Sequence, residues 1–161
     1  MPRLKSCFHL SDATRIRNDE AMAESSYQLG VFLHLAQASL RRRRPLVRDR
    51  MLLLAGATAA NLQLNKLAHY CRQEILRHNP RHLVGRWPTF AEALIDQEFL
   101  TFIVSLRRRY PVERAERLLD TLGIEIANER DTYYSDAEYA AAILSINADL
   151  VTEDEDRGQA G

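Results

Sequence analysis

The feature that most constrains the fold is a regular apolar spacing in the middle of the chain. Seven residues with apolar side chains recur at steps of three or four: Leu53, Ala57, Ala60, Leu64, Leu67, Cys71 and Ile75. This spacing puts them on one face of an α-helix, with polar residues such as Lys66 and Arg72 off that face. It predicts one long amphipathic helix, or two helices if Gly56, which costs about 1 kcal/mol relative to Ala in a helix interior, interrupts it.

An earlier helix is predicted from Asn18 to about Arg43. Asn is a favourable N-cap residue, and an apolar stripe follows at helical spacing through Leu29, Phe32, Ala36 and Leu40. Pro45 is expected to end this helix.

The segment 79–89 is predicted to be a loop, because it contains Pro80, Gly85 and Pro88 within eleven residues. Its Trp87 is expected to anchor the loop against the core. A short turn of helix from Thr89 is also expected, before a longer helix capped by Asp96.

Capping residues also mark the last two predicted helices. Pro111 opens the first of them, and Gly123 followed by Ile124 has the form of a glycine C-cap with its hydrophobic contact. Ser135 with Glu138 three residues later forms a predicted capping box for the second. Alternating β-branched runs, which would indicate strands, are not found in the sequence.

These patterns predict an all-α fold: a single-domain bundle or helical-hairpin array of five or six helices. We expect an N-terminal extension at 1–17, a helical domain at 18–148 and a disordered acidic tail at 149–161. The 161 residues suffice for one core. The tail is expected to be disordered because Glu153 to Asp156 are consecutive acidic residues with little apolar surface beside them.

Charge is divided along the chain although the totals balance at 22 basic and 22 acidic residues. Through Pro111 there are 18 Lys or Arg against 9 Asp or Glu, whereas from Val112 there are 4 against 13. Such asymmetry favours self-association or an anionic partner. The sequence contains no run of 18 apolar residues that could span a bilayer, so a cytoplasmic protein is expected. Two cysteines, Cys7 and Cys71, are too few for a disulfide scaffold and are expected to be free thiols.

Two arginine clusters are the candidate site for an anion or a partner. They are Arg41, Arg42, Arg43 and Arg44, and Arg107, Arg108 and Arg109. Each cluster falls at a predicted helix C-terminus, where one or two cations complement the helix dipole. The remaining arginines form either a solvated or internally paired face, or a surface that binds phosphate or a protein.

The histidines, cysteines and sequence motifs give no pattern typical of a metal site or a cofactor site. His69 and Cys71 would point to different helix faces, and Pro80 interrupts the step from His78 to His82, so no metal site is expected. Cys71 is expected to be a buried thiol in the apolar stripe. No cofactor is expected, because phosphate-loop, dinucleotide-binding and nucleophile-elbow sequences are not found.

The remaining candidates are a group of tyrosines and three titratable residues. Tyr133, Tyr134 and Tyr139 are expected to pack in the core, the alternative being a contact surface. His34, His69 and Glu74 are the buried-face residues available to an enzyme of unrecognised class.

The leading functional hypothesis is a non-catalytic helical protein-interaction module that binds a protein partner or itself. The alternative is an RNA- or DNA-binding protein that uses the two arginine clusters and is regulated by its acidic tail.

Overall fold

The computed structural model describes residues 6–126 and 128–153, with side chains described from Ala13 onward. It confirms the all-α class. Over these residues the chain forms α1 (Ser6–Arg41), α2 (Pro45–Asn61), α3 (Asn65–His78), α4 (Phe90–Ala93), α5 (Gln97–Arg109), α6 (Val112–Thr121) and α7 (Asp136–Leu144). Short 3-10 helices span Leu83–Arg86, Glu129–Thr132 and Ala148–Leu150. None of the described helices combines the length and apolar character needed to cross a bilayer.

Helix α2 is the centre of the structure. Every residue from Met51 to Ala59 is buried, and the helix packs against α1, α3, α4 and α5. A helix that is apolar on all sides is stable only when other elements surround it. Gly56 lies inside α2 and does not break it. A Cβ there would lie 2.4 Å from the Phe90 ring, so glycine allows α4 to approach this closely.

The predicted long central helix is two helices, and the break lies at residues 62–64. Gln63 adopts a left-handed conformation with φ 61°, and the Leu64 amide donates to the Ala59 carbonyl at 2.9 Å. This is the hydrogen-bond pattern that ends a helix with a reversal, although glycine is usual at the left-handed position. The apolar spacing continues through the break because α2 and α3 turn their apolar faces to one core.

Helix α1 begins at Ser6, so the predicted N-cap at Asn18 is wrong. Asn18 lies inside the helix, and every residue from Ala13 to Glu24 is exposed. A good N-cap residue marks only a possible helix start. It does not interrupt a helix when the residues before it also favour the helical conformation. The stripe residues Leu29, Phe32 and Ala36 are buried as expected, but Leu40 is 46% exposed.

The other predicted helix ends are confirmed. The side chains of Thr89, Asp96 and Ser135 each accept a backbone N–H in the first turn of the following helix. Gly123 ends α6 with φ 70°, and the Ile124 amide donates to Leu119. Trp87 packs on Phe99 with ring centroids 5.3 Å apart, as expected for the loop anchor.

The C-terminal segment is ordered for longer than predicted. Val151 is fully buried, and the Lys66 amide donates to the Glu153 carboxylate at 2.8 Å. The structure therefore places 149–153 against the N-terminus of α3, because one apolar side chain and one acidic helix cap suffice to hold this segment. The remaining residues of the predicted tail, 154–161, lie outside the described residues, as do Met1 to Lys5 of the predicted extension.

Candidate interaction surface

The first arginine cluster occupies the reversal between α1 and α2. Arg41 is the last residue of α1, and Arg43 adopts φ 57°, so the Arg44 amide can donate to the Ser39 carbonyl at 2.9 Å. All four side chains, from Arg41 to Arg44, are exposed. The four positive charges therefore lie in one tight turn between α1 and α2.

The second cluster forms the last turn of α5. Arg107, Arg108 and Arg109 are exposed, and the Arg109 carbonyl accepts a hydrogen bond of 2.7 Å from the Arg114 guanidinium. The same guanidinium carbon lies 5.1 Å from the centroid of the Tyr110 ring. Arg114 therefore covers the negative end of the α5 dipole, which leaves the cluster's own side chains available for other contacts.

The two clusters lie at the same end of α2. Arg44 immediately precedes that helix, and Arg50 in its second turn donates to the Tyr110 hydroxyl at 3.4 Å, directly after the second cluster. Arg44 and Arg50 are about 9 Å apart along the helix axis at the usual rise per residue. The fold thus brings together two segments that are more than sixty residues apart in sequence.

Beside the clusters lies a charged network that is paired and mostly buried. Glu74 of α3 accepts from Arg48 at 2.7 Å and from Arg77 at 2.5 Å, and Asp49 of α2 bonds His78 Nδ1 at 2.6 Å. Asp49 Oδ1 is buried without a hydrogen-bond partner among the described residues. Glu74, a candidate for catalysis from the sequence, is therefore an ion-pair partner that joins α2 to α3.

The arginines of the two clusters have no such partners. Within the described residues, none of these seven side chains forms an ion pair or donates a side-chain hydrogen bond. The described acidic segment is not close to them: Glu153 caps the N-terminus of α3, whereas the clusters lie by its C-terminus. From Lys66 to His78 the helix axis covers about 18 Å.

An apolar groove opens beside the first cluster, between α1, α2 and α6. Its volume is about 310 Å³, and its floor consists of Leu35, Ala38, Val47, Leu118 and Leu122. Arg42 and Arg44 stand at its edge. Sequence reasoning missed this groove.

The groove is partly open to solvent. Its lining residue Leu118 is 37% exposed, and Leu46, which precedes the lining residue Val47, is 67% exposed.

The remaining sequence candidates are not brought together. His34 lies 3.4 Å from the Glu129 carboxylate and 3.5 Å from the Tyr139 hydroxyl, whereas His69 is exposed on α3. Burial lowers the pKa of His34, with the Glu129 carboxylate acting in the opposite direction. The residues that the structure describes contain no group of three potential metal ligands.

Cys71 is a fully buried free thiol, as predicted, and burial raises its pKa to about 12. Tyr139 is buried and packs on Tyr133, which confirms core packing for these two rings, but Tyr134 is 74% exposed.

No family model matches the sequence, and neither curated proteins nor solved structures show a significant similarity to it.

Proposed function

We propose that the protein is a non-catalytic interaction module that binds an acidic, amphipathic segment of another protein in the groove between α1, α2 and α6. The observation that carries the proposal is the pairing of an apolar floor with Arg42 and Arg44 at the edge. An amphipathic helix fits such a surface by inserting apolar side chains and placing polar ones at the rim.

The electrostatics favour a partner with carboxylates. Arg42 and Arg44 have no ion-pair partner among the described residues, and Arg offers a planar set of donors that can bind a carboxylate in two hydrogen bonds. Leu46 and Leu118 remain partly exposed nearby. Covering them would remove apolar surface from water, at roughly 25 cal/mol per Å².

A fluorescent helical peptide tests this proposal. The probe has leucines at every third or fourth position and glutamates elsewhere, and its anisotropy reports binding to the full chain. We expect R42E/R44E to weaken binding by more than about tenfold, or 1.4 kcal/mol. The control R108E/R109E changes charge equally at two residues that do not line the groove, and it should weaken binding much less. Equal losses in both variants would exclude a specific groove.

A second variant separates the apolar contact from the charge. Leu118→Gln keeps both arginines but makes the groove floor polar at a position that is already 37% exposed, so the fold should tolerate it. We expect weaker peptide binding at high salt as well as at low salt. Binding that depends only on salt would contradict insertion into the groove.

RNA or DNA binding is the second candidate function, and one observation favours it: both arginine clusters, with no ion-pair partner among the described residues, lie at one end of α2. Phosphate contacts would make binding fall steeply with salt, and R42E/R44E and R108E/R109E should then weaken it similarly. Regulation by the acidic tail predicts tighter binding when the chain ends after Glu153. This end point keeps Val151 in the core, which an earlier truncation would remove.

A further inference from the structure

A second cleft lies on a different part of α1, where it meets the first turn of α7 and the segment that leads to it. Its volume is about 350 Å³, within the range of small-ligand sites. Tyr27 of α1 and Tyr139 of α7 both contribute to its lining, and Ala23 and Ile126 add apolar surface.

Most of the charged groups in this cleft are already paired. Asp136 accepts hydrogen bonds from Arg130 and, at 2.9 Å, from the Ser26 hydroxyl. Arg130 also donates to the Tyr133 carbonyl at 2.9 Å. The Arg130 and Asp136 charges therefore neutralise each other and fix the shape of the cleft.

Asp131 is the exception. It is exposed on the cleft wall, and its carboxylate has no hydrogen bond or ion pair among the described residues. The net charge of the lining is thus negative. The Tyr27 hydroxyl donates to Glu116 at 2.5 Å, so a second carboxylate stands directly behind the tyrosine. This hydrogen bond raises the pKa of Tyr27 to about 12, and the ring stays neutral.

We propose that this cleft binds a small organic cation, with a guanidinium or ammonium group on Asp131 and a short apolar chain against Tyr27, Ala23 and Ile126. A carboxylate supplies the charge complement, and aromatic faces attract cations when water is excluded. This site is separate from the groove of the proposed function, since the two share no lining residue and Tyr27 is about 12 Å along α1 from Leu35, where the groove begins on that helix.

Butylguanidinium is the probe, and butylurea is its neutral control of the same shape. Ligand-observed NMR on the full chain should show that butylguanidinium binds and that butylurea binds several-fold more weakly. Asp131→Asn should weaken butylguanidinium binding by about three- to fivefold, the loss expected for one exposed ion pair. Glu92→Gln removes an exposed carboxylate on α4, which does not line the cleft, and should change nothing.

Two outcomes overturn the proposal: equal binding of the cation and the urea, or no effect of Asp131→Asn. A capped Ala-Arg-Ala peptide identifies the source of the cation. If the peptide binds as well as butylguanidinium, the cleft accepts an arginine side chain from a protein, whereas binding of the small cation alone assigns a free ligand. Melting temperatures of each variant show that the fold is intact.

Discussion

Two sets of charged side chains lie at the same end of α2 and differ in almost every physical respect. Arg48, Arg77 and His78 are paired with Glu74 or Asp49, and both carboxylates are buried. The two arginine clusters are exposed and have no ion-pair partners within the described chain. The difference shows that the basic half of the sequence contains one part that is paired within the fold and another that has no ion-pair partner among the described residues.

The paired set should dominate stability. Glu74→Ala leaves Arg48, whose side chain is only 16% exposed, without its carboxylate. We expect the free energy of unfolding to fall by about 3 kcal/mol, because breaking a buried pair on one side leaves an uncompensated charge. Urea denaturation measures this. The matched variant Glu98→Ala breaks the exposed pair with Arg86 and should cost less than about 1 kcal/mol. Similar losses of stability in Glu74→Ala and Glu98→Ala would contradict the distinction between buried and exposed ion pairs.

A smaller effect on stability is expected from the protonation of His82, on which Asp49 of the paired set acts. Burial lowers the pKa of His82 from its usual 6.5, although Asp49 acts in the opposite direction, and its Nδ1 accepts from the Val84 amide. The unfolded chain therefore takes up a proton before the folded one, and stability falls as pH drops below 6.5. Melting temperatures at about pH 7.5 and 5.5 should differ less in His82→Gln than in the parent. His69→Gln, on an exposed residue, should leave the difference unchanged.

The smallest effect on stability is expected from the first cluster. Replacing Arg41, Arg42, Arg43 and Arg44 by Gln should change the free energy of unfolding by less than about 1 kcal/mol in total, because exposed residues without partners contribute little. The same variant should lose binding to the acidic peptide described above. A large loss of stability would show that these arginines hold the α1–α2 reversal together, and the two sets would then not differ as proposed.

The fold was largely predictable because most helix starts depend on local chemistry, although the start predicted at Asn18 was wrong. The sequence indicated the caps at Asp96 and Ser135, since each side chain bonds a backbone amide two or three residues away. Helix ends were harder. Gly123 was predicted, but Arg43, Gln63 and Ser145 also adopt left-handed conformations without being glycine. At these three positions tertiary packing outweighs the cost of the left-handed backbone conformation, about 1 kcal/mol or more per residue. No sequence pattern indicates where this happens.

The candidate surfaces were predictable only in part. The arginines at 41–44 and 107–109 were identified from the sequence, but their common position depends on the contact between Arg50 and Tyr110. The groove and the tyrosine cleft each combine residues from three separate segments. A periodic pattern predicts one face of one helix. It gives no information about a concave surface that forms between several helices.

Helix α1 has a further consequence for the motions of the chain. Its residues from Ala13 to Glu24 are exposed on all sides, whereas Leu29 to Ala36 are almost entirely buried. A helical segment whose side chains are exposed gains little stability from packing, so we expect its amide protons to exchange by local fraying and those of the buried half to exchange only when larger parts of the domain open. The boundary between these two exchange regimes falls inside a single continuous helix, near Ser25. The cooperative folding unit therefore begins where burial begins, many residues after the helix itself.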